Sequence, residues 1–217
     1  LKVLRHKGKS HGVKETRGKY SKGKSIRKRD KSVYSREEAG HWEADTVVSG
    51  QGKSKACFAT LAERKTRFYI AMKMSDRRAE TMENAIVAAL SAFPPQLVKT
   101  ITCDRGTEFA NWRRIEERLH CEVYFADPYC AWQKGTNENL NGLLREFYPK
   151  GRNLSRVAPA TLKRNLALLN ARRVPGHQIY IVSHAGKPGR QGLHRLGHRW
   201  SGQPDGRHHR RGTAGPY

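Results

Sequence analysis

"ACFATLAERKTRFYIAMKM", residues 56–74, says more about the architecture of this chain than any other stretch. Apolar, aromatic and small residues fill both halves, and a polar run near Arg64–Thr66 divides them. The segment therefore predicts two strands joined by a turn. Just upstream, Trp42–Val48 predicts a strand ahead of the pair. Downstream, Ser75 or Asp76 is placed to cap a helix whose Met82, Ile86, Leu90 and Phe93 recur at helical spacing. Pro94 and Pro95 are expected to end that helix. "LVKTITC" (97–103) predicts the next strand and "NWRRIEERLH" (111–120) a helix with Trp112, Ile115 and Leu119 on one side. "EVYFA" (122–126) predicts a fifth strand, followed by helices from about Thr136 to Phe147 and over 159–170. The order is βββαβαβα, an α/β chain with a mixed five-stranded sheet and flanking helices.

Charge divides the 217 residues into three parts. Residues 1–40 carry 14 Lys and Arg against 4 acids and few large apolar groups. A stretch such as "RGKYSKGKSIRKRDKS" (17–32) buries too little surface to offset its ordering entropy, so 1–39 is expected to be a disordered basic arm. Residues 40–170 form the expected folded core. Residues 171–217 are rich in Gly, His and Arg with Asp205 as their one acid, and are expected to be a disordered tail. The formal net charge of +24 points to a polyanionic partner, nucleic acid before an anionic membrane. No apolar run approaches the roughly 18–20 residues of a membrane span, and no signal peptide is visible. Cys57, Cys103, Cys121 and Cys130 show no C-x-x-C spacing, so they are expected to be reduced, mostly buried and cytosolic. The sequence opens on Leu1, and a fragment lacking its N-terminal part is expected.

Three carboxylates stand out. Asp45 lies in the first core strand, where Asp is disfavoured because its side chain competes for backbone hydrogen bonds. By alternation it shares a side with Glu43 and Val47; an edge strand with a solvated face would also accommodate it. Asp104 ends the strand "TITCD" and is followed by "RGTEFAN", at the carboxyl edge of a sheet where ligand crevices form. An ordinary turn or a helix cap is the alternative. Glu138 points away from the Leu140–Leu143–Leu144–Phe147 stripe of its helix, as a surface residue would. Taken together they fit phosphodiester chemistry, which uses two divalent cations about 3.5–4 Å apart. Hard cations such as Mg²⁺ or Mn²⁺ take carboxylate oxygens.

"GHWEADTV" (40–47), "TCDRGTEFA" (102–110) and "YFADPYCAWQKGTNENLNGLLREFYPKG" (124–151) resemble the three signature blocks of bacterial insertion-sequence transposases of the IS-thirty family. The resemblance covers about residues 36–170, and 33 residues separate Asp104 from Glu138, as that family's pattern implies. It implies a retroviral-integrase-like DDE core with a ribonuclease-H-like fold, whose strand order is the one read above. Asp45, Asp104 and Glu138 would then be the catalytic, metal-binding triad, with two Mg²⁺ or Mn²⁺ ions. The implied activity is DNA strand cleavage and strand transfer during transposition. DNA is the expected partner and a homo-oligomer on DNA the expected state, in the bacterial cytoplasm at the nucleoid. No membrane or small-molecule substrate is expected.

Lys134, Asn137, Asn141 and Arg145 surround Glu138 with donors suited to phosphate oxygens. Trp132 could pack or stack on a base, packing being the expectation. Arg105 stands where the family commonly has Asn and adds a cation beside the presumed metals. Arg27, Lys28 and Arg29 in the arm are further candidate DNA contacts. After "LNARR" the text departs from the family's final block, which reads as translation in a shifted frame. Two alternatives stay open. One is an inactive remnant that binds DNA non-specifically, and the other is a non-transposing ribonuclease-H-like nuclease.

Overall fold

The computed structural model describes residues 23–128 and 130–171. The expected tail, and the arm up to residue 22, lie outside the described residues. Strands β1 (Lys24–Ser25), β2 (His41–Val48), β3 (Cys57–Glu63), β4 (Tyr69–Met74), β5 (Thr100–Cys103) and β6 (Glu122–Phe125) form one mixed sheet in the order β1-β6-β5-β2-β3-β4. β2, β3 and β4 are antiparallel neighbours, whereas β5 lies parallel to β2, β6 to β5, and β1 to β6. Helices α1 (Ala79–Leu90), α2 (Trp112–Leu119), α3 (Gly135–Phe147) and α4 (Pro159–Ala171) complete the fold.

Strand alternation sorts the core into two layers. Cys57, Ala59 and Leu61 of β3 face one way, into a cluster with Met82, Ile86 and Leu90 of α1 and Ile115 and Leu119 of α2. Phe58 and Ala62 face the other, into a cluster with Leu140 and Leu144 of α3 and Leu162 and Leu169 of α4. β3 is therefore buried on both faces, which is why its sequence reads as a continuous apolar run. The Phe58 and Tyr148 rings meet edge to face at 5.3 Å in the second layer. Each fully buried side chain of this size contributes roughly 1.5–3 kcal/mol.

Several expectations are corrected. The sheet has six strands, because Lys24 and Ser25 pair with Tyr124 and Phe125. A two-residue strand is too short to leave a periodic signal. The arm boundary also moves: residues 23–39 pack on the core, with Ile26 and Val33 buried. This charged segment is held by two apolar anchors, by the Ser25 and Asp30 side chains, which accept the Arg27 and Ser32 backbone N–H groups, and by bonds from Lys24, Arg27 and Arg29 to Glu122, Asp127 and Thr102. The alternative setting for Asp45, an edge strand, is excluded: β2 lies between β5 and β3. α1 begins at Ala79, and Asp76 accepts hydrogen bonds from Arg78 N and Thr81 Oγ1 rather than serving as the cap residue. α1 stops at Leu90, ahead of Pro94, and Pro95–Leu97 form a 3-10 turn.

Candidate active site

The parallel register of β2 and β5 builds the site. Glu43 stands opposite Thr102, so Asp45, still paired with Thr60 of β3, and Asp104, just past the end of β5, each lie two residues further on. β5 ends at this level while β2 runs on to Val48, so the cleft opens beside β2 at the carboxyl end of β5, where an α/β sheet forms a crevice. α3 starts above this edge and carries Glu138 in its first turn. Asp45, Asp104 and Glu138 all line one cleft of about 500 Å³, so the structure brings the three predicted carboxylates to a common space.

Each aspartate is held by neighbours. Asp45 Oδ1 accepts the Thr46 backbone N–H at 2.8 Å, and Oδ2 accepts Asn141 Nδ2 at 3.0 Å. Asn141 is held in turn, its Oδ1 accepting the Tyr69 hydroxyl at 2.6 Å. Asp104 Oδ1 accepts the Gly106 N–H at 2.9 Å. A Cβ at Gly106 would lie 2.5 Å from Glu108 Oε2 and 2.9 Å from Asp104 Oδ1, so a side chain there would push both carboxylates aside. Burial pushes the Asp45 carboxyl above its ordinary range, and the adjacent Lys134 ammonium only partly offsets this.

Lys134 is the principal surprise. It ends the 3-10 turn Ala131–Lys134 and is buried, not splayed toward solvent. Its Nζ lies 3.2 Å from Asp104 Oδ2 and 3.4 Å from Asp45 Oδ1, and donates to the Ala44 carbonyl at 3.2 Å. Burial pulls its pKa down, but Asp45 and Asp104 more than compensate, so the ammonium stays charged.

Other expected DNA contacts are redistributed. Asn137 is fully buried, with Nδ2 donating to the carbonyls of Glu43 and Thr60, so it anchors α3 and offers nothing to a phosphate. Asn141 is committed to Asp45, as above. Arg145 donates to the Val48 and Tyr148 carbonyls and joins α3 to the end of β2. Arg29 is buried, donating to Thr102 Oγ1 at 2.8 Å with Tyr34 beneath its guanidinium, which removes it from the candidate DNA contacts. Arg27 and Lys28 are exposed, Arg27 pairing with Asp127 at 3.1 Å. Trp132 is 70% exposed, against the expectation that it packs; its turn directs Gln133 and Lys134 inward and leaves the indole outside. Arg105 lines the cleft, and its Nε is buried with no hydrogen-bond partner.

Sequence reasoning missed Glu108 and Arg77, which also line the cleft. Glu108 Oε1 accepts Thr46 Oγ1 at 3.1 Å and Arg77 Nη2 at 2.7 Å, while Oε2 is buried without a partner. Five carboxylates, Asp45, Asp104, Glu108, Asp127 and Glu138, thus line one space, a hard-oxygen donor set that fits Mg²⁺ or Mn²⁺. Among the described residues no three His, Cys, Asp or Glu side chains are drawn together closely enough to hold an ion as they stand. The described cysteines are free, and Cys57, Cys103 and Cys121 are buried. No helix among the described residues is long and apolar enough to cross a membrane.

The integrase core domain family matches residues 35–131, which includes Asp45 and Asp104 and stops short of Glu138. The chain is 37% identical over 158 residues to a probable transposase for the insertion-like sequence element IS1161 of Streptococcus salivarius, covering 72% of this chain and 44% of that protein. It is 35% identical over 171 residues to the transposase InsI of the element IS30A of Escherichia coli, covering 78% of this chain and 44% of that protein. It is 35% identical over 158 residues to the transposase of IS1086 of Cupriavidus metallidurans, covering 73% and 46%. The chain spans less than half the length of these curated relatives. Among solved structures, the integrase catalytic core of HTLV-2 in complex with magnesium is 14% identical, covers 59% of this chain and 84% of that chain, and superposes with a TM-score of 0.43. With a six-stranded mixed sheet and a match to the integrase core domain family over residues 35–131, the chain is similar over 158 to 171 residues to the transposases of bacterial insertion-sequence elements.

Proposed function

We propose that this chain is the catalytic segment of a DDE transposase that cuts DNA at the ends of an insertion sequence and joins the exposed 3′-hydroxyl to a target strand. The observation that carries the reading is the convergence of Asp45, Asp104 and Glu138 on one cleft from β2, the end of β5 and the first turn of α3. These three residues would hold two divalent cations, Mg²⁺ or Mn²⁺. When bound, such a pair activates the attacking oxygen and stabilises the leaving oxygen of an in-line displacement.

The chain's own groups orient the reaction. Thr46 N–H and Asn141 hold Asp45, and Gly106 N–H holds Asp104, which restricts the orientations both carboxylates can take. Arg105 sits beside them as a cation for a phosphate oxygen. Exposed Arg27, Lys28 and Trp132 extend the DNA-facing surface, the cations toward phosphates and the indole toward a base. Action in the bacterial cytoplasm as a homo-oligomer bridging two DNA ends belongs to the same reading.

The test is cleavage of a labelled duplex carrying the element's own end, with Mg²⁺, by this chain. Wild type is expected to nick the end and join it to target DNA. Asp45→Asn, Asp104→Asn and Glu138→Gln are expected to abolish both steps while retaining DNA binding. A triad variant that cuts at the wild-type rate would overturn the assignment. Preference for an RNA–DNA hybrid over the end duplex would replace transposition by nuclease activity.

A further inference from the structure

We propose that Lys134 is a built-in counter-ion that competes with divalent metal for Asp45 and Asp104 and is driven off them when metal binds. The proposal rests on the reading of these carboxylates as metal ligands. It adds that the same oxygens serve a tethered cation first.

The geometry is specific. The Lys134 ammonium reaches one oxygen from each aspartate, Asp45 Oδ1 at 3.4 Å and Asp104 Oδ2 at 3.2 Å. Its third direction is taken by the Ala44 carbonyl at 3.2 Å, on the strand that carries Asp45. Of the three ammonium donors, two are hydrogen-bonded to Asp104 and Ala44, and Asp45 is held as an ion pair. The stem is fixed too: neighbouring Gln133 is buried, its Oε1 accepting Asp127 N–H at 2.7 Å. Lys134 thus reaches the aspartates from a rigid turn four residues ahead of Glu138.

The reason lies in electrostatics. Two carboxylates drawn toward one point in a partly desolvated cleft repel each other, and a cation between them removes much of that cost. A divalent ion bound by the same oxygens cannot share them with an ammonium at hydrogen-bond distance, because two cations would then crowd two anions. Metal binding therefore carries the work of displacing Lys134. The released ammonium stays tethered at the mouth of the cleft, where the anion available to it is a DNA phosphate. Lys134 would in this way hand the aspartates to the metal and itself to the substrate.

Manganese titration of the whole chain, read by calorimetry or by the loss of free Mn²⁺ electron-spin resonance signal, tests this without any turnover. Lys134→Met is expected to bind Mn²⁺ more tightly than wild type by at least roughly tenfold, since a unit charge within a few ångströms no longer opposes the ion. Asp45→Asn is expected to weaken binding by a similar factor or more. Equal or weaker binding by Lys134→Met, with Asp45→Asn still defective, overturns the proposal and leaves the metal reading intact. No binding by wild type, or none that depends on Asp45, overturns both. If Lys134→Met does not fold, pulse acylation of wild-type lysines read by mass spectrometry decides. Labelling of Lys134 is expected to rise several-fold on saturation with Mn²⁺ while the exposed lysines stay constant; unchanged labelling overturns the proposal.

Discussion

Glu43 accepts the backbone N–H of Asn137 at 2.8 Å, while its own carbonyl accepts the Asn137 side chain at 2.7 Å. Each residue sits close in sequence to a carboxylate of the cleft: Glu43 lies two before Asp45, and Asn137 directly precedes Glu138. The second carboxylate oxygen of Glu43 takes the Arg64 guanidinium, and Glu43, Arg64 and Asn137 are all buried. This closed network ties the start of α3 to the central strand, so the spacing between Asp45 and Glu138 is set by groups that never meet substrate. Glu43→Ala leaves the Arg64 charge buried and unpaired, which typically costs about 3–5 kcal/mol. Denaturant unfolding checks the loss. Asn137→Ala removes donors to two buried carbonyls and is expected to cost about 1–3 kcal/mol, with cleavage falling further than stability does.

Asp45 supplies a pH dependence with a definite sign. Burial raises its folded pKa above the unfolded value, so ionising it opposes the fold. The penalty is absent below the unfolded pKa, grows as pH rises, and is complete above the folded pKa. In the presence of a chelator, Asp45→Asn should therefore gain stability relative to wild type as pH rises above the ordinary Asp pKa of about 3.9. Urea midpoints across that rise measure it. A difference that stays flat would show that Asp45 is not the group responsible.

Tyr69 acts on Asp45 through Asn141. Its hydroxyl is buried, holds Asn141 Oδ1, and has a pKa pushed far up by burial, so it remains a donor at any working pH. Tyr69→Phe is expected to lower stability by only about 1 kcal/mol. Strand cleavage should fall several-fold with little change in DNA affinity. Equal losses in affinity and rate would instead indicate a general loss of structure.

The three basic residues at positions 27–29 should separate cleanly in DNA binding. Arg27→Gln with Lys28→Gln is expected to reduce the salt dependence, each lost phosphate contact lowering the slope by about 0.9. Arg29→Met should leave the slope unchanged, because its guanidinium is buried against Thr102 and Tyr34. Fluorescence anisotropy at several salt concentrations gives both slopes.

Trp132, exposed beside the cleft, contributes little packing. Trp132→Ala should stay within about 0.5 kcal/mol of wild-type stability. Loss of base stacking should weaken DNA binding by about 1–3 kcal/mol, whereas Trp132→Phe retains most of it. A DNA affinity unaffected by Trp132→Ala would remove the indole from the DNA-facing surface.

The order of strands and helices was legible because the signal is local. β3 reads as a buried apolar run, the leucines of α3 recur at helical spacing, and Asp104 ends a short β-branched strand before Gly106. Asp45 was legible as an unusual strand residue, whereas Asp104 also fitted an ordinary turn and Glu138 an ordinary surface position; the three stood out only as a set and through the family resemblance. The roles of their neighbours were not. Lys134, Asn137, Asn141 and Arg29 are polar in a basic chain, and polarity along a sequence suggests solvent or DNA. Only the folded arrangement shows that a β2 carboxylate, a β2 carbonyl or a β5 hydroxyl awaits each of them across 73 to 96 positions of chain. Glu108 was hidden for the same reason, since its partners are Thr46 on β2 and Arg77 in the loop between β4 and α1. Periodicity reports which face of an element is apolar, and so determines the layers. The destination of a buried donor or charge depends on what another segment brings within 3 Å, and that is decided only when the chain closes on itself.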